Sequence, residues 1–154
     1  LEKGDEIVKD NIMSRDNELE KYKKQVLIAN EKYEIANKWI YLLNNDKPLT
    51  ENLKNNNINQ IIIYGASELA VRLIEQCKRE NFVIMAITDK KIKHSGGFYM
   101  EIPLITIEEL ERTDLSHTYV VITAMGFYNE IKDELVQRNI KNVISLRELI
   151  EAAL

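Results

Sequence analysis

A single cysteine, Cys77, excludes an internal disulfide and a cysteine-based zinc site from this 154-residue chain. Histidine is nearly as scarce: His94 and His117 stand far apart in polar stretches. With Glu108, Glu109 and Glu111 reading as a solvated helix face, no metal-ligand cluster emerges. No apolar run approaches the roughly 18–20 residues of a membrane span, and no signal-peptide pattern opens the chain, so the cytoplasm is the expected compartment. An excess of positive charge is also missing. The 21 Lys and Arg face 25 Asp and Glu, for a net charge of −4. That balance argues against electrostatically driven nucleic-acid binding, with Lys90-Lys91-Ile92-Lys93-His94 the local exception. The first residue is Leu1 rather than Met, inside a polar helical pattern, as expected for a piece of a longer protein. What remains is globular composition, 45% hydrophobic and 30% charged, enough for one modest core.

Between Val8 and Leu43 the chain carries no proline and no glycine. Val8, Ile12, Arg15, Leu19, Tyr22, Val26, Ala29, Tyr33, Ala36, Ile40 and Leu43 alternate at spacings of four and three, the seam of a coiled coil. Long polar side chains fill most other positions, as a solvated helix surface requires. Two arrangements satisfy this pattern: residues 8–43 pair with a second copy as a homodimer, or the C-terminal half packs on its own domain. The end of the helix, Trp39 to Leu43, is apolar on more than one face and is expected to touch more than one surface. Residues 1–45 therefore read as a long amphipathic helix. Asn44-Asn45-Asp46-Lys47-Pro48 ends it, and residues 46–58 form a linker in which Thr50 caps a short helix through Lys54.

Residues 59–154 change period and alternate strand with helix through short connections, which marks a parallel sheet. Strands are expected at Asn59–Tyr64, Phe82–Thr88, around Ile102–Ile105, at Tyr119–Thr123 and at Val143–Ser145. Helices are expected at Ser67–Glu80, Ile107–Arg112 (capped by Thr106 with Glu109), Tyr128–Arg138 and Leu146–Ala153. Cys77 falls beside Leu73 and Ile74 on the inner side of the first of these, as a buried structural thiol. With right-handed crossovers this is an α/β fold: a doubly wound, Rossmann-like, five-stranded parallel sheet of order 3-2-1-4-5 behind a long N-terminal helix.

In such a sheet ligands gather where the strand order reverses, beyond strands one and four. Gly65, Ala66, Ser67 and Glu68 come from one side, and Thr123, Ala124, Met125 and Gly126 from the other. Asp89 ends strand two about 24 residues after Gly65, where an acid can accept ribose hydroxyls, or can simply open a turn. Lys90, Lys91, Lys93 and His94 either contact anionic ligand groups or form a solvated loop. A dinucleotide fingerprint asks for three small positions, here Gly65, Ser67 and Ala70. The Ser67 side chain obstructs a pyrophosphate, and Glu68 places a carboxylate at the helix start where a phosphate would sit. Tight NAD binding is therefore disfavoured, while a nucleoside or sugar can still dock. No catalytic constellation stands out. Tyr128 and Lys132, at i and i+4, are the weak candidates for proton transfer, and as readily form a surface pair.

From about Trp39 to Leu149 the chain resembles a recurrent bacterial Rossmann-like domain. That domain stands at the N-terminus of CapD-like epimerase/dehydratases and PglD-like acetyltransferases, and is appended to cell-surface glycosyltransferases. The likeness rests on Ile62 to Ala70, Ile87-Thr88-Asp89, Ile102-Pro103-Leu104 with Ile107-Glu108-Glu109-Leu110, Val120 to Thr123, Glu130-Ile131 and Val143 to Leu146. The family's first turn usually reads Gly-x-Gly-Glu-x-Gly, so Glu68 matches while Ser67 and Ala70 depart. The resemblance implies a non-catalytic nucleotide- or sugar-nucleotide-binding module in surface polysaccharide biosynthesis, with a glycosyltransferase as partner. The alternatives it leaves are an NAD(P)-dependent sugar-nucleotide epimerase or oxidoreductase, and a purely structural interaction module.

Overall fold

The computed structural model describes residues 2–154. Helix α1 (Glu2–Asn44) runs unbroken for 43 residues, about 64 Å at 1.5 Å per residue. From Lys3 through Leu27 its side chains are exposed; from there Ile28, Glu31, Ile35, Lys38, Trp39 and Leu42 turn toward the rest of the chain. Helix α2 (Glu51–Asn55) leads into β1 (Gln60–Tyr64), followed by α3 (Glu68–Arg79), β2 (Val83–Thr88), β3 (Phe98–Tyr99) and β4 (Ile102–Pro103). Helix α4 (Ile107–Glu111), β5 (Thr118–Ile122), α5 (Tyr128–Gln137), β6 (Val143–Ser145) and α6 (Leu146–Ala153) complete it.

Glycine is too scarce to end these helices, and Asn or Asp does so instead. Asp46, Asn57, Asn81 and Asn139 adopt left-handed φ angles of 51°, 63°, 54° and 64° directly after α1, α2, α3 and α5. In each case the next N–H reaches back to close the last turn: Lys47 to Leu42 O, Ile58 to Leu53 O, Phe82 to Cys77 O, Ile140 to Leu135 O. Short amide or carboxylate side chains tolerate this conformation better than other non-glycine residues. Ile58, Phe82 and Ile140 are then buried beside the turns they close.

The main sheet has four parallel strands in the order β2-β1-β5-β6, not five. Both faces are covered, which explains the uninterrupted Ile61-Ile62-Ile63 run. Ile61 and Ile63 pack with α1, α2, α3 and α6, whereas Ile62 and Tyr64 pack with α4 and α5. The expected third strand at Ile102–Ile105 is the correction. Ile102–Pro103 pairs antiparallel with Phe98–Tyr99, inside what reads as a loop, and only Leu104 bridges Ile87 in parallel. Pro103 has no N–H for a ladder, and the short segment divides its remaining bonds between Gly97 and Ile87. Thr50 is a second correction. It does not cap α2 with its side chain; its hydroxyl donates to Glu80, 2.7 Å away. Ser145 and Glu148 form a full capping box on α6, while Thr106 Oγ1 accepts from Glu109 N at 3.2 Å.

Glu80, at the C-terminal end of α3, gathers the Leu49 and Thr50 N–H groups, the Thr50 hydroxyl and the Gln76 amide. Burial alone would raise its carboxyl, but these hydrogen bonds together outweigh it and hold the group below its usual range. This clamp fixes the α1–α2 turn against α3. It thereby sets where α1 lies across the sheet.

Candidate functional site

At the carboxyl edge of the sheet the β1 turn is built as a tight reversal. Gly65 takes φ +117°, and a Cβ there would lie 2.6 Å from Thr123 Oγ1. Thr123 is fully buried; its N–H and its hydroxyl both donate to Tyr64 O, at 3.0 and 3.2 Å. The glycine is therefore required by a neighbouring strand, and the space a ligand would use beside it is taken by Thr123. Gly65 N–H itself donates to Thr88 O at 2.9 Å.

Beyond Gly65 the turn opens. Ala66, Ser67 and Glu68 are exposed. Ser67 occupies the cap position of α3, yet its side chain makes no capping hydrogen bond, so its hydroxyl faces solvent at the positive end of the helix. Glu68 follows in the first turn of that helix. The opposing side is closed. Met125 is buried in the core that contains Ile35 and Trp39 of α1, and Ala124 packs against the α4/α5 side. Gly126, at φ +79°, sits so close to α1 that a Cβ would meet Ile28 Cγ1 at 2.6 Å. Lys24, one turn earlier on α1, lies 4.1 Å from the Phe127 ring centroid. Helix α1 thus roofs one half of the edge and leaves the other half open.

Asp89 stands at the end of β2 as a turn residue: its Oδ1 accepts from Lys91 N at 3.0 Å. The second carboxylate oxygen is not used in that bond. Lys90 points away from the turn and pairs with Glu134 of α5 at 3.0 Å. That pair lies in a groove of about 500 Å³ that also takes in Lys93, Glu108 and Arg138. Tyr64, the last residue of β1, is buried, and burial, with the Glu134 and Asp89 carboxylates, pushes its phenol up to about 12.

Tyr128 and Lys132 are adjacent, as their spacing requires, but the ammonium lies 5.6 Å from the ring centroid, over the ring. Burial first, and the nearby Glu148 carboxylate second, push the Tyr128 phenol up. For a proton-transfer tyrosine the shift would have to run downward. Cys77 is fully buried, and burial first, then Glu80, pushes its thiol up to about 12. No group of His, Cys, Asp and Glu among the described residues could hold a metal ion. No helix among them is long and apolar enough to cross a membrane.

A family model described as C2185-like, N-terminal, matches residues 57–144, more than half of the chain. The chain belongs to this family. No curated protein matches it. The C2185-like match begins just before β1 and ends inside β6, so it contains both loops of the sheet edge, while α1 lies outside it.

The part of the site that sequence reasoning missed is contributed by α1. Ile28, Ile35 and Leu42 recur every seven residues on a stripe separate from the seam, and this stripe is what packs on the C2185-like domain. The signal was present but overshadowed by the longer apolar repeat beside it.

Proposed function

We propose that this chain is a non-catalytic accessory module of bacterial surface-glycan assembly. Its open half-edge, Ala66 to Glu68 with Asp89, receives the nucleoside or sugar portion of a nucleotide sugar, and residues 8–43 pair two copies. The division of the sheet edge carries this reading: the Ser67 hydroxyl and the β1 turn face solvent, while Thr123, Met125 and Ile28 fill the neighbouring half. A pyrophosphate laid across both halves would meet the Thr123 and Glu68 side chains. A hydroxyl-bearing group can instead use Ser67 and the free oxygen of Asp89. The resemblance to CapD-like and PglD-like N-terminal domains supplies the setting and the glycosyltransferase partner.

The pairing of α1 is supported by what its own domain leaves unused. Val8, Ile12, Leu19, Tyr22, Tyr33 and Ile40 remain at least half exposed. At 100° per residue, their seam lies about 130° around the helix from the stripe that faces the domain. The two sequence readings of α1 are therefore compatible, since they use different faces.

A thermal-shift series with nucleoside-diphosphate sugars, NAD, NADP and coenzyme A tests the ligand. A nucleotide sugar at a hundredfold over its dissociation constant stabilises by about 2.7 kcal/mol, a rise of roughly 5–10 °C for a chain of this size. Stabilisation by NAD alone, or by nothing in the series, would overturn the ligand assignment; the second result favours the interaction-module reading that the free seam supports.

A further inference from the structure

We infer that the groove between α1 and α3 is the seat for the α1 helix of a second copy, laid parallel and in register, with the partner's Asn37–Asn44 stretch as its occupant. This rests on the pairing proposed above and adds its direction and its second contact surface. The groove, about 280 Å³, has Ala36, Ile40 and Leu43 along one wall and Leu69, Arg72 and Gln76 of α3 along the other. Those three α1 residues are the last three of the seam. A helix that follows the seam toward its C-terminal end therefore runs into the groove, with α1 on one side and α3 on the other. The small Ala36 side chain leaves room for that approach.

Three features fix the occupant and its direction. Ile12, Leu19, Val26, Tyr33 and Ile40 form one set of alternate layers of the seam; three of these five are β-branched, and in parallel coiled coils such residues at that layer favour two strands. In parallel register the flanking positions then place Glu18 of one copy against Lys23 of the other, and no like charges meet across the flanks. Lys23 in the single chain reaches only Glu20, one turn away on its own helix, at 3.5 Å. Arg15, the charged residue within the seam, meets its own counterpart in this register, and each guanidinium has the second copy's Asp16 beside it.

The groove lies on the Trp39 side of the seam. In a parallel pair the flank presented to that side carries Asn37, Tyr41 and Asn44. Tyr41 is half exposed and would set its ring against Leu69 and the Arg72 guanidinium. Burying the exposed seam residues of two copies removes on the order of 1,500 Å² from water, above the roughly 1,000 Å² that a specific interface needs.

Sedimentation equilibrium of residues 1–154, combined with disulfide trapping, tests the proposal. Ala36→Cys is expected to cross-link to itself under mild oxidation, while Lys21→Cys on the outer face is not; Cys77 is fully buried and does not compete. Arg72→Glu in the groove wall should raise the dimer dissociation constant about tenfold, with unchanged circular dichroism at concentrations well above that constant, and Ile12→Asp in the free seam more than a hundredfold. If Ile12→Asp dissociates the pair but Ala36→Cys fails to cross-link, or Arg72→Glu has no effect, the groove seat is overturned while pairing stands. A wild-type monomer across micromolar concentrations overturns both.

Discussion

Replacing Glu80 by alanine removes four donors' common acceptor at the joint between α1, α2 and α3. Two of those donors, the Leu49 and Thr50 N–H groups, belong to largely buried residues; Thr50 is only 1% exposed and also loses the partner of its hydroxyl. Hydrogen bonds to a charged group contribute about 1.5–3 kcal/mol each in isolation, but they share one partly buried carboxylate and do not add. A net loss of about 2 kcal/mol follows, read as a fall of about 4–8 °C in melting temperature for a chain of this size. Glu80→Gln keeps one acceptor oxygen and should lose about half as much.

The pH dependence has a definite sign. The folded Glu80 carboxyl is held below its usual range. The stability it supplies is therefore fully present above the unfolded value, about 4.3, and is lost as pH falls through the lower folded value. Differential scanning calorimetry of wild type and Glu80→Ala at neutral pH and near pH 3 gives the comparison. The gap should be wide at neutral pH and narrower in acid. Equal gaps at both values, or a change under 1 °C at neutral pH, would refute the clamp.

Gly65→Ala combines a φ of +117° with a Cβ 2.6 Å from Thr123 Oγ1. It should lose about 3 kcal/mol in chemical denaturation, and Thr123→Ala in the same chain should recover part of that loss. Tyr128→Phe is expected to leave any ligand-induced thermal shift unchanged and to alter stability by less than about 1 kcal/mol; loss of nucleotide-sugar turnover in that variant would instead establish a catalytic tyrosine. Cys77, with its thiol pushed up to about 12, should resist a disulfide reagent at pH 8 until denaturant is added. Prompt reaction in the folded chain would contradict its placement.

The strands of the main sheet were legible because β1, β2, β5 and β6 are short β-branched runs bounded by polar turns, and because a doubly covered sheet needs such runs. Ile102–Ile105 shows the same apolar signal, yet Pro103 and the brevity of the segment send it to Phe98–Tyr99 instead. Side-chain partners at a distance were not legible. Nothing around Thr50 indicates that its hydroxyl serves Glu80 rather than α2, and nothing around Thr123 indicates that it fills the space beside Gly65. At the candidate site, the position of the turn followed from the strand–turn–helix pattern. The roof did not, because Ile28 and Gly126 stand 98 positions apart in the chain, a separation that local periodicity cannot connect.

The proposed ligand site is the open half of the sheet edge, not the roofed half. Titrating isotopically labelled protein with a nucleoside-diphosphate sugar while recording amide resonances tests it directly. Shifts are expected to concentrate at Ala66, Ser67, Glu68 and Asp89, with Thr123 and Met125 little changed. No shifts at millimolar ligand, or shifts centred on Thr123 and Met125 with α1 displaced from Gly126, would contradict it.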